Sequence, residues 1–122
     1  MSEEQAKKAI EDYFRAFNAQ DEEAMRARLH FPFSWIINNR VWLVLEPKDF
    51  IAPTKQLIKQ ENWAYSRLDW MEAVQAWDDK AHIKLAYSRF KADGTKYVTH
   101  EALWIVTRID GHWGVQCQSL HI

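Results

Sequence analysis

Apolar residues fall at Ala6, Ala9, Ile10, Tyr13, Phe14 and Phe17, the i, i+3, i+4, i+7 rhythm that predicts an amphipathic helix. Asn18 to Gln20 breaks the rhythm. Asp21 then suits the cap of a short second helix through Ala24, Met25 and Leu29, with Pro32 expected to stop it. Residues 33–37 and 41–45 are short, aromatic and β-branched, and Asn38-Asn39-Arg40 joins them as a first hairpin. Residues 47–62 have helical character that Pro53 must kink or split. In 63–77, Leu68, Met71, Val74 and Trp77 recur at helical spacing while Leu68, Trp70, Val74 and Ala76 recur at strand spacing, so periodicity alone leaves that segment open.

Beyond residue 80 the pattern is plainly β. Asp93-Gly94 and Asp110-Gly111 are strong hairpin signals, because a two-residue type I′ turn needs positive φ at both positions. Two-residue loops set Tyr87 opposite His100, Leu85 opposite Ala102 and Ile83 opposite Trp104. They also set Val106 opposite Val115, Trp104 opposite Cys117, Ala102 opposite Ser119 and His100 opposite His121. One face then collects Ala81, Ile83, Leu85, Tyr87, Ala102, Trp104, Val106, Val115 and Cys117, a core face. The opposite face is polar except for Leu103, Ile105 and Leu120. Such a patch predicts a homodimer through the outer face of the sheet, extended by Met71 and Ala73 if Glu72 points inward.

A chain of 122 residues predicts one domain, 1–122, with a core that needs no metal or disulfide. Seven tryptophans are an unusual number and suggest a large core, a pocket wall, a subunit interface, or some mixture of these. The formal charge of −1, without a basic block, argues against a nucleic-acid partner. No apolar run reaches the ~18 residues of a membrane span, and the single Cys117 suits a reducing, cytoplasmic setting. The five histidines lack metal-ligand spacing, and with three glycines there is no phosphate-cradling loop. No cofactor is therefore expected.

Polar residues on the core face are the candidates for chemistry, since an unpaired buried polar group costs about 1–3 kcal/mol. They are Tyr87, Arg89, His100, Ser119 and His121, joined by Glu72 if Asp78-Asp79 is also a two-residue loop. A three-residue loop there would send Asp69 inward instead. A line of Glu72, Tyr87, His100 and His121 suits acid–base catalysis near neutral pH. The same residues suit a hydrogen-bonded network at a sheet edge. Tyr13, Trp35, Trp70 and Trp104, with Arg89 and Ser119, are expected to line the pocket.

The opening Ala9-Ile10-Glu11-Asp12-Tyr13-Phe14, the aromatic hairpin 33–45, and the segments 87–94 and 104–113 together resemble the nuclear transport factor 2-like superfamily, on its SnoaL-like (polyketide cyclase-like) side. The resemblance spans nearly the whole chain. It implies an α+β cone: N-terminal helices in a strongly curved, mostly antiparallel sheet, in the order α-α-β-β-α-β-β-β-β, with 64–77 a strand. Similar proteins range from steroid isomerases, in which a tyrosine on the first helix binds the substrate oxygen, to dehydratases and members of unknown role. Two functions follow as expectations: binding of a small hydrophobic molecule, or cofactor-independent isomerase, cyclase or dehydratase chemistry on a His/Tyr/carboxylate site.

Overall fold

A computed structural model describes residues 2–122. Two helices, α1 (Ser2–Asn18) and α2 (Glu22–Ala27), precede the hairpin β1 (Leu29–Ile37) and β2 (Arg40–Val44). Helix α3 (Thr54–Glu61) and the strands β3 (Tyr65–Ala76), β4 (Lys80–Phe90), β5 (Lys96–Ile109) and β6 (His112–Leu120) follow. The predicted stripe of α1 is buried along its length, and it packs against β3, β4, β5 and β6. Asp21 caps α2 by accepting from the Ala24 N–H. Pro53 splits the third helical segment as its ring geometry requires, leaving a 3-10 turn at Pro47–Asp49 and α3 beyond it. Pro32 does not follow a helix end directly; it lies inside β1, whose first residue, Leu29, pairs with Val115.

The strands form one curved, open sheet in the order β2-β1-β6-β5-β4-β3. Every neighbouring pair is antiparallel except β1 with β6. Asn18 ties the end of α1 to the start of β3, its amide donating to the Ser66 carbonyl and accepting from the Ser66 N–H, both at 2.8 Å. This is the α+β cone expected from the sequence, with 64–77 as a strand.

The registers show where the pattern reading succeeds and where it slips. Tyr87↔His100, Leu85↔Ala102 and Ile83↔Trp104 pair as expected. They do so by two cancelling departures. The Asp93-Gly94 turn is a three-residue loop, with Lys91 and Thr95 paired across it, and a shift between Arg89 and Phe90 restores the register. At Asp110-Gly111 both residues have positive φ, 52° and 77°, as a type I′ turn demands.

In β6 a register shift lies beside Val106: Val106 pairs with Val115, but Ile105 pairs with Cys117. The extra residue is Gln116. A β-bulge of this kind turns every later side chain to the other face. Cys117 and Ser119 therefore face outward, opposite Ile105 and Leu103, and Gln118 and Leu120 turn inward opposite Trp104 and Ala102. In β3 the loop at Asp78-Asp79 has the expected parity, since Ala76 pairs with Ala81. A shift at Val74 then sets Glu72 opposite Lys84 on the outer face, and a second at Asp69 sets Leu68 opposite Tyr87.

Candidate functional site

One register row crosses the whole sheet on its inner face: Trp42 (β2), Trp35 (β1), Gln118 (β6), Trp104 (β5), Ile83 (β4) and Ala73 (β3). Helix α1 lays Tyr13 and Phe14 over it. The Trp104 ring stacks on Phe14 at 5.2 Å and 3°, and meets Tyr13 edge-on at 5.6 Å. Contacts of this geometry add to the area these rings bury. Gln118, between two tryptophans, accepts the Trp35 indole N–H at 3.0 Å.

Between this wall and α3 lies a cavity of about 620 Å3, inside the size range of small-molecule sites. Its inner wall carries Tyr13, Trp35, Tyr87, Trp104, Gln118 and Leu120, and its rim includes Trp42, Ile51 and Ile122. Those three rim residues are 47%, 79% and 64% exposed, an apolar mouth open to solvent.

One end of the cavity is polar. Glu61, the last residue of α3, accepts from Arg89 at 3.1 Å and from the Tyr97 hydroxyl at 2.8 Å. The guanidinium lies 5.8 Å from the Tyr87 ring centre, and His100 meets that ring at 5.6 Å. Burial, reinforced by the hydrogen bond to Glu61, pushes the Tyr97 hydroxyl up to about 12. Burial also raises the Tyr87 hydroxyl, against the opposing charge of Arg89. The Tyr13 hydroxyl is raised by burial, which outweighs the nearby Gln118 amide. Burial lowers His100 below its ordinary value, Arg89 lowers it further, and Glu61 opposes both. At neutral pH the phenols are protonated and His100 is uncharged.

Of the residues expected here, Tyr13, Trp35, Tyr87, Arg89 and Trp104 line the cavity. His100 is buried on the same face behind Tyr87. Four do not belong. Glu72 is outside, opposite Lys84; Trp70 is outside, opposite Ala86 and 42% exposed; Ser119 is outside because of the bulge at Gln116. His121 lies beyond the end of β6 and is exposed. Asp69 does not replace Glu72: it accepts from Ser88 at 2.6 Å and from Arg67 at 2.8 Å, a network of the outer face.

The site residues missed in sequence are Glu61 and Gln118. Glu61 falls four residues after the buried Leu57, so helical spacing puts both on one face. Gln118 had no such signal, because nothing in the composition of β6 marks the bulge that turns it inward. Among the described residues, no group of three or more His, Cys, Asp or Glu side chains is placed to hold a metal ion.

No protein-family model matches the chain, and no curated protein matches it either. Solved structures do. An NTF-2 like protein of unknown function from Shewanella oneidensis MR-1 is similar over 100% of both chains, with a TM-score of 0.79 and 13% identity. A protein of unknown function with a cystatin-like fold from Nostoc punctiforme gives 0.79 at 9% identity, over 98% of this chain and 89% of the other. Aln2 from a Streptomyces species gives 0.71 at 12% identity, over 95% and 86%. The chain has the nuclear transport factor 2-like, cystatin-like fold.

Proposed function

We propose that this chain uses its nuclear transport factor 2-like cone to bind a small, largely apolar molecule, without a cofactor. The observation that carries the reading is the cavity of about 620 Å3 with indole, phenol and phenyl walls and an apolar mouth. Fold likeness alone does not select a function; the chemistry of the wall does. Trp35 and Trp104 border the cavity, so a ligand there reports itself by quenching tryptophan emission. Titration with small aromatic or alicyclic compounds is expected to give saturable quenching and a raised melting temperature. Ile37→Trp, which fills the lining from β1, is expected to abolish both. Quenching that survives the filled cavity would place the ligand elsewhere and remove the reading.

The second reading, an isomerase, cyclase or dehydratase, draws on the polar end, where Tyr87, Glu61 and His100 gather near Arg89. Binding is favoured over it for a specific reason. Glu61, the carboxylate at the cavity, already accepts from Arg89 and Tyr97, so its oxygens are committed to partners within the fold. His100, the base expected from the sequence, does not border the cavity; its ring lies beside Tyr87, which does.

The same reading includes a homodimer through the outer sheet face. Its patch is revised from the expected one: Leu120 lines the cavity and Met71 and Ala73 pack against the core. Leu103 and Ile105 remain outside, and the rows add Ile36, Val41 and Leu43 beside them. Among the described residues, no helix is long and apolar enough to cross a membrane; a cytoplasmic setting rests on the lone Cys117.

A further inference from the structure

The two edges of the sheet are finished differently. The β3 edge carries Arg67, Asp69 and Glu72 and is broken by two register shifts. Charges and bulges of that kind stop an edge from pairing with another chain. The β2 edge has neither. Its register against β1 runs unbroken from Val44 to Arg40, and every residue between Arg40 and Glu46 is apolar. Val41, Leu43 and Leu45 are 65%, 61% and 61% exposed, and Trp42 47%. A bare apolar edge is a template for one more strand.

Which backbone groups are free follows from the hairpin. Ile37 and Arg40 close a two-residue loop, so they form a hydrogen-bonded pair, and the bonding alternates along the ladder from there. Arg40, Trp42 and Val44 turn their N–H and C=O toward β1, while Val41, Leu43 and Leu45 turn theirs away from the sheet. Among the described residues, no hydrogen bond from a turn, loop or cap reaches those three. Glu46, two residues past the strand, is still extended at φ −132° and ψ 154°.

We infer that this edge takes the β2 strand of a second copy, antiparallel about Leu43. The order Arg-Val-Trp-Leu-Val-Leu-Glu over 40–46 is its own complement. Val41 then meets Leu45, Trp42 meets Val44, and Arg40 of each copy meets Glu46 of the other on one face of the sheet. Leu43 opposite Leu43 and Val41 opposite Leu45 are hydrogen-bonded pairs in this register, so the outward groups of all three residues find partners. Neighbouring registers do worse. Centring on Trp42 sets Arg40 against Val44 and leaves both charges unmatched. Centring on Val44 sets Arg40 against Lys48 and Val41 against Pro47, which has no N–H to give. A contact one strand long is small, of the transient kind, and is expected at roughly hundreds of micromolar. It joins two sheets edge to edge and is separate from association through Leu103 and Ile105.

The test traps the pair by disulfide in the full chain at roughly hundreds of micromolar, in a Cys117→Ser background. Leu43→Cys is expected to crosslink with itself, since the Cα atoms of a hydrogen-bonded pair lie about 5.5 Å apart, within disulfide reach. Val41→Cys and Leu45→Cys are each expected to crosslink at least about tenfold more slowly alone, because four residues of strand separate like positions. Mixed together, those two are expected to crosslink readily. Arg40→Glu added to Leu43→Cys at low ionic strength is expected to slow trapping at least about tenfold, and Glu46→Arg added to both to restore it. Equal crosslinking at all three positions shows unspecific collision and overturns the pairing. A charge exchange that leaves trapping slow overturns it too, as does Arg40→Glu without effect. No crosslink at any position removes the second copy as the occupant and leaves the edge to a strand of another sequence.

Discussion

Two buried polar clusters, one on each face of the sheet, treat their polar groups in opposite ways. Outside, Ser88 is 1% exposed, and its hydroxyl donates to Asp69 at 2.6 Å and meets the Thr99 hydroxyl at 2.8 Å. Asp69 also accepts from Arg67. Burial pushes the Asp69 carboxyl up, yet the hydrogen bonds from Ser88 and Arg67 hold it below the ordinary carboxylate value. Inside, Gln118, Trp104 and Arg89 each keep a donor with no acceptor among the described residues. A polar group that satisfies its neighbours is there for the fold. One that the fold leaves unsatisfied is available to something else.

The largest expected consequence lies on the outer face. Ser88→Ala removes the donor to Asp69 and the partner of Thr99 within a buried contact. It is expected to cost about 1–3 kcal/mol, the penalty for stranding buried polar groups, read as a lower denaturant midpoint with an unchanged slope. Cavity-ligand affinity should not move. A neutral Ser88→Ala would mean that this network is as dispensable as the inner donors, and the contrast between the faces would fail.

What was legible in the sequence follows from the same contrast. Helix α1, the split at Pro53 and the pairing of β4 with β5 could be read from period and turn chemistry, because each depends on a repeating pattern or on Gly and Pro. The inner positions of Tyr13, Tyr87, Arg89 and Trp104 came with them. Glu72 and Trp70 were lost to the bulge at Val74, and Ser119 to the one at Gln116, where one inserted residue reverses a strand's faces without a compositional mark. The Asp93-Gly94 hairpin shows the converse, with loop length misread and a later shift cancelling the error.

A second, smaller effect tests whether the outer face is an interface. Leu103 is 37% exposed, beside Ile105 and across Ser119 from Ile36 and Val41. Apolar surface in one contiguous patch favours association. Leu103→Lys with Ile105→Lys is expected to shift the sedimenting species from dimer to monomer and weaken self-association by at least about tenfold, ~1.4 kcal/mol. Wild-type protein that sediments as a monomer at tens of micromolar would remove the dimer, leaving this face an ordinary solvated surface.

The smallest expected effect is a pH dependence carried by His100. Its folded-state value lies below the ordinary 6.5, because burial and the Arg89 charge both disfavour the imidazolium while Glu61 opposes them. The unfolded chain therefore binds the proton more readily than the folded one between those two values. Stability then rises with pH across that interval. The contribution of His100 is full above about 6.5, its unfolded value, and is lost as pH falls through the folded value. His30 is lowered in the same direction, by burial and by His112, so wild type should lose melting temperature between pH 7 and pH 5 from both residues. His100→Gln keeps a polar side chain of similar size and removes one of the two titrations. Its melting temperature should fall less steeply over that range, with ligand affinity at pH 7 unchanged because residue 100 does not border the cavity. A variant with the wild-type slope would show that His100 protonates as easily in the fold as out of it. A variant that loses ligand binding at pH 7 would bring His100 back into the site.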